Sequence, residues 1–172
     1  MATSARSKRV ALLNLLDTLG LDYEETEHDA VYTMAESAAL NEKLDGCRCK
    51  NLLVQTKKGT DYFLVVTAPE AKVDLGELGR RLGVGRLSFC PPQTMQELLD
   101  VTPGAASPFA LAADLDGNVQ LIFDTSIAKS GRFLFHPMEN TATISIANQD
   151  MMRFLESIAH CPKIVDIPLR IT

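Results

Sequence analysis

A chain of 172 residues, 46% hydrophobic and 23% charged, has the size and composition of one folded domain with its own core, which excludes a disordered or fibrous polymer. Its 17 Lys and Arg against 22 Asp and Glu leave a formal charge of −5, which excludes a protein that coats nucleic acid by neutralising phosphates. Any nucleic-acid contact has to be small and local. Cys47, Cys49, Cys90 and Cys161 give one C-x-C and two isolated residues, without zinc-ligand spacing. The polar, basic start from Met1 to Arg9 lacks a secretory pattern, and no apolar run is long enough to span a bilayer. The expectation is a reduced, cytoplasmic chain with free thiols, no membrane segment, no metal and no cofactor.

In chain order, Val10, Leu12, Leu13, Leu15, Leu16 and Leu19 recur at helical spacing between Ser7, a cap, and Gly20, a stop. Asp22 to Glu27 reads as a short strand, and Thr33-Met34-Ala35-Glu36 as a capping box opening a helix through about Leu44. Leu52 to Val54 and Tyr62 to Val66 form a hairpin around Lys57-Lys58-Gly59-Thr60. Short helices are predicted at Asp74 to Leu82 and Thr94 to Leu99, with a strand at Arg86 to Phe89 and a break at Pro91-Pro92. Strands at Val119 to Phe123, Phe133 to Phe135 and Thr143 to Ile146 precede an amphipathic helix from Asn148 to Ile158. Without strict βαβ alternation, this order predicts a single α/β (α+β) domain over residues 1–172, with one mixed, mostly antiparallel twisted sheet flanked by helices.

Three places hold residues able to carry chemistry. Lys50, at the mouth of a strand, either snorkels as a surface lysine or aims a cation into a cleft, where it polarises an ester carbonyl or holds a phosphate. Its neighbour Asn51 is an edge-strand polar residue or an amide that donates to a carbonyl and accepts from an amine. Gly104, Ala105, Ala106, Ser107 and Pro108 are a plain turn or a loop whose backbone approaches a small ligand closely. His136, between Phe135 and Pro137, is a structural ring or a proton-transfer group oriented by Asn140 and Thr141. His28 and His160 draw less interest, His28 as a cap on the turn at Asp29. Ser107 lacks a nucleophile elbow, and no Cys has a His near it in sequence.

Taken in order, Thr26-Glu27-His28, Val31-Tyr32-Thr33, Lys50-Asn51-Leu52, Tyr62 to Val66, Gly104-x-x-x-Pro108-Phe109 and Phe135-His136-Pro137 with Asn140-Thr141 resemble the YbaK/ProX prolyl-tRNA editing family. The Lys-Asn-Leu and Phe-His-Pro-x-x-Asn-Thr segments look most like its free-standing branch, which hydrolyses alanine mischarged on proline tRNA. The resemblance implies a YbaK-like fold and a trans-editing deacylase that protects translation fidelity. Lys50 would be its key active-site residue and the loop from Gly104 to Pro108 the lining of the aminoacyl pocket, with Asn51 and His136 also binding substrate. The implied partners are the acceptor end of tRNA(Pro) and, transiently, prolyl-tRNA synthetase. One departure is Ala110, where the family pattern has Gly.

An aminoacyl ester is already activated, so its hydrolysis asks for positioning, carbonyl polarisation and a water more than for a strong nucleophile. A small second pocket can shut out the larger cognate amino acid where the first pocket cannot reject the smaller one. Reading an unpaired acceptor end by stacking and a few contacts is compatible with net charge −5. Arg80, Arg81 and Arg86 are the basic cluster available to the acceptor stem, or else a solvated helix face. The rival readings are a deacylase for cysteine or serine esters, a non-catalytic module sensing a small amino acid or a tRNA end, and a small-molecule hydrolase using Lys50 and His136.

Overall fold

The computed structural model describes residues 4–30, 36 and 44–171. The helix expected from Thr33 to Leu44 lies outside the described residues apart from Glu36 and Leu44, as does the segment Val31-Tyr32-Thr33. Helix α1 (Ala5–Thr18) starts one turn earlier than expected, because the Ser4 hydroxyl, rather than that of Ser7, accepts a backbone N–H, that of Ser7 itself. Its end is the expected one: Gly20 takes φ +71°, and the Leu21 N–H reaches back to the Leu16 carbonyl.

Strands β1 (Tyr23–Glu27), β2 (Cys47–Arg48), β3 (Lys50–Thr56) and β4 (Tyr62–Thr67) precede helix α2 (Leu75–Leu82), strand β5 (Leu87–Phe89) and helix α3 (Pro92–Leu99). Two 3-10 turns, Pro103–Ala105 and Pro108–Ala113, lead to β6 (Val119–Asp124), the one-turn α4 (Thr125–Ala128), β7 (Arg132–Phe135), β8 (Ala142–Ala147), α5 (Asn148–Ser157) and β9 (Lys163–Val165). The strands form two sheets where one was expected: β1-β8-β7-β2 and β5-β3-β4-β6-β9. Among the described residues four pairings are antiparallel, and three, β2 with β7, β4 with β6 and β6 with β9, are parallel.

The split happens at one residue, since Arg48 belongs to the first sheet and Lys50 to the second, leaving Cys49 as the seam. Asn51, read as an edge-strand residue or a functional amide, pairs with Val66 of β4 on one side, while β5 joins the other side of β3 only from Val54 onward. β4 is central and buried on both faces, which is why Phe63 to Val66 is continuously apolar. Successive side chains leave a strand on opposite faces. Leu53, Leu64, Val66, Leu121 and Phe123 accordingly meet Phe133, Phe135, Ile144 and Ile146 of the other sheet, while Val54, Phe63, Val65 and Ile122 pack with Leu78 of α2. Phe109, fully buried, stacks edge-on against Phe135 and Phe154, and this contact pins the second 3-10 turn to β7 and α5.

Candidate functional site

The seam between the sheets opens into a cleft of about 30 Å³, lined by Arg48, Cys49, Asn51, Leu134, Phe135, His136 and Thr143. That is room on the order of a water or two. The alternation along β3 turns Asn51 to the same side as Leu53, between the sheets, and its Oδ1 is buried without a hydrogen-bond partner among the described residues. A buried acceptor left unpaired costs about 1–3 kcal/mol, so an incoming N–H donor would find it unspent.

His136 follows the last residue of β7. Its Nδ1 donates to the Ala142 carbonyl at 2.8 Å, which places the proton on Nδ1 and leaves Nε2 a lone pair with no protein partner among the described residues. Burial lowers its pKa from the ordinary 6.5, against the pull of the Ala142 carbonyl, and His28 adds to the lowering. The ring is therefore a neutral base at neutral pH. His28 lies beside it, the ring centroids 6.0 Å apart, with Nδ1 donating to the Asp29 carbonyl at 2.7 Å and Nε2 accepting from the Thr143 hydroxyl at 2.8 Å. The turn contact expected of His28 is present. Its approach to His136 was not expected, because that depends on β1 pairing with β8, so that Thr26 faces Thr143.

The loop from Gly104 to Pro108 lies against the His136 segment. Ser107 donates its hydroxyl to the His136 carbonyl at 2.7 Å, and a Cβ placed on Gly104 would stand 3.5 Å from the Asn140 amide nitrogen. Ala105, Ala106, Ser107 and Pro108 are themselves buried, and none lines the cleft. Ser107 has no solvent access, and Ala110, the family departure, packs wholly within the core. The small residues thus serve close packing behind His136.

Lys50 takes the other face. It shares the side of β3 that carries Leu52 and Val54, and its ammonium donates to the Ala71 carbonyl at 2.8 Å. It is half-buried, and it does not line the cleft. The cation that does is Arg48, which also bonds Glu70 at 2.9 Å. Arg80 and Arg81 are held by Glu77 at 2.5 and 3.3 Å, and Arg81 also donates to the Asp166 carbonyl. Arg86 lines a separate hollow with Phe89 and Arg170.

Behind the cleft, Arg9 is 3% exposed and bonds Glu25 and Glu27 of β1 and Glu139, at 2.8, 2.7 and 2.8 Å. Glu139 also accepts from the Thr141 hydroxyl at 2.6 Å, so one arginine ties α1 and β1 to the loop that follows His136. A basic residue on a helix otherwise apolar on that face was the only sequence sign of it. Among the described residues no helix is long and apolar enough to cross a membrane.

Residues 28–154 match the family model of the aminoacyl-tRNA editing domain. The chain is 35% identical over 162 residues to the Bos taurus prolyl-tRNA synthetase associated domain-containing protein 1, covering 92% of this chain and 94% of that protein. It is 30% identical over 157 residues to the prolyl-tRNA editing protein ProX of Acetoanaerobium sticklandii, covering 91% and 96%. Its fold superposes with a TM-score of 0.70 and 20% identity on a crystal structure described as a candidate trans-editing enzyme for prolyl tRNA synthetase, over 99% of both chains. The chain belongs to the YbaK/ProX family of aminoacyl-tRNA editing domains.

Proposed function

We propose that this protein is a free-standing deacylase that clears alanine from tRNA(Pro). The observation that carries the reading is the pairing, in one small cleft, of the unpartnered Asn51 Oδ1 with the unprotonated Nε2 of His136. The α-ammonium of an aminoacyl ester supplies the donor that Asn51 lacks. A water held by His136 Nε2 then attacks the ester carbonyl, and the proton passes to the leaving ribose oxygen. The relative named ProX supports the proline-tRNA assignment, and a cleft of about 30 Å³, which has to widen to seat even an alanyl group beside its water, supports a small amino acid over a large one.

Lys50, which lies on the other face of β3, enters this reading by leaving the Ala71 carbonyl and swinging its flexible stem round the start of β3, where β5 does not flank it, to meet the developing oxyanion. Giving up one charge-assisted hydrogen bond costs about 1.5–3 kcal/mol, and a well-placed donor to the oxyanion returns about 2.7–4 kcal/mol. The exchange is balanced or favourable only in the transition state, which is where it would raise the rate. The test is release of free amino acid from tRNA(Pro) charged with alanine, cysteine or serine. Hydrolysis of the alanyl ester above the other two supports the assignment. Tight binding of the tRNA without turnover would favour the non-catalytic module, and equal hydrolysis of an alanyl ester lacking tRNA would favour the small-molecule hydrolase.

A further inference from the structure

Cys47 and Cys49 are not used by the chemistry above. They flank Arg48 at the point where the chain crosses from one sheet to the other, both half-buried, and Cys49 forms part of the cleft wall two residues before Asn51. Both side chains lie on the same side with their sulfurs 4.0 Å apart: the Cys49 thiol is shared between the Cys47 sulfur and, at 3.6 Å, the Cys47 carbonyl, and the Cys47 thiol has the Arg48 carbonyl at 3.6 Å as its acceptor. The bond from Cys49, helped by a second from Ser130 and opposed by burial, brings the Cys47 thiol down to about 6. The same contact together with burial pushes the Cys49 thiol up. A sulfur eased toward the thiolate and one held as the thiol therefore stand side by side, 4.0 Å apart, the arrangement of an attacking and a resolving sulfur. Cys90 offers nothing comparable, since burial raises it to about 11.

We propose that Cys47 and Cys49 are a hydroperoxide-reactive pair that closes reversibly to an intrachain disulfide and moves the cleft wall as it does so. The Cys47 thiolate attacks one oxygen of ROOH. The S–O bond forms as the O–O bond breaks, and the departing alkoxide takes a proton to give ROH. The Cys49 sulfur then displaces hydroxide from the Cys47 sulfenic acid, forming S–S as S–O breaks, and the Cys49 proton leaves with the hydroxide as water. Two thiols are oxidised by two electrons and one peroxide is reduced. A dithiol reductant reverses the step. The sulfurs must approach from 4.0 Å to about 2.05 Å, so Cys49 has to shift, and Asn51 lies two residues along the same strand face.

The experiment uses the full chain with C90S and C161S, so that only the pair remains. One equivalent of hydrogen peroxide is expected to remove both free thiols and lower the intact mass by two hydrogens. Trypsin cuts after Lys43, Arg48 and Lys50, so the crosslink is expected as the peptide 44–48 joined to the dipeptide 49–50. C47S is expected to consume peroxide at least tenfold more slowly, and C49S to stop at a sulfenic acid that dimedone traps. Retention of both thiols, sulfinic acid on Cys47 without a crosslink, or crosslinks only between two chains would overturn the pair. For the cleft, the side-chain amide resonances of Asn51 and the ring resonances of His136 are expected to shift on oxidation and return with dithiothreitol; unchanged resonances would overturn the coupling. Both readouts are independent of turnover, so a reduced protein that fails to deacylate alanyl-tRNA(Pro) counts against the proposed function and leaves this inference standing.

Discussion

His136 owes its chemistry to which of its nitrogens is occupied. The Ala142 carbonyl holds the proton on Nδ1, and burial keeps the ring neutral, so Nε2 is the base. His136→Ala should slow turnover on the order of a hundredfold, the lower end for loss of a general base, read as kcat for alanyl-tRNA(Pro) hydrolysis. The sign of the pH dependence follows from the lowered pKa. In the unfolded chain the ring takes up its proton near 6.5, but in the folded chain only at lower pH, so its stabilising contribution is complete above about 6.5 and is lost as pH falls. Between pH 7.5 and 5.5 the urea midpoint of the native protein should decline more steeply than that of His136→Ala, and parallel slopes would remove His136 as the titrating group. Lys50→Ala is expected to lower kcat on the order of a hundredfold with the fold intact. Normal kcat in a folded Lys50→Ala protein would leave Lys50 as a tether to Ala71 and shift the cleft's charge to Arg48.

At the scale of elements, the site depends on how three segments are tied together. Arg9 bonds carboxylates from β1 and from the loop after β7, and its pKa is raised by the Glu25 bond against burial, with Glu139 and Glu27 adding to it. Arg9→Met would leave buried Glu139 with only the exposed Arg6, at 3.6 Å, as counter-charge, and because Glu27 keeps its water the loss should not exceed the lower end for broken buried pairs, about 3 kcal/mol by urea denaturation. A loss below about 1 kcal/mol would show that the carboxylates find other partners. The loop behind His136 separates two kinds of small residue. Gly104 has ordinary contact distance to Asn140, so Gly104→Val should push that amide and cut turnover about tenfold while costing about 1 kcal/mol or less. Ala106 is part of the core, and Ala106→Leu should instead destabilise by about 1–3 kcal/mol through overpacking.

For the whole molecule, the order of elements was legible because a continuous apolar run such as Phe63 to Val66 and a helical period such as that of Met151, Phe154 and Leu155 declare their burial. The division into two sheets was not, since it turns on the single residue Cys49, and β2 and β9 are too short to show any period. Asn51 and His136 could be named from sequence, yet their meeting in one cleft depends on β3 and β7 lying in different sheets. The side taken by Lys50 was open to inference, for strict alternation already separates neighbours 50 and 51. The central claim is that this cleft sorts by size and hydrolyses what fits. It is tested most directly by the deacylation rates of alanyl-tRNA(Pro) and prolyl-tRNA(Pro) under single-turnover conditions. A cleft that fits a methyl group and clashes with a ring predicts a ratio above the roughly 200-fold available from one methylene contact. Comparable rates for the two esters would contradict it, even with Asn51 and His136 both essential.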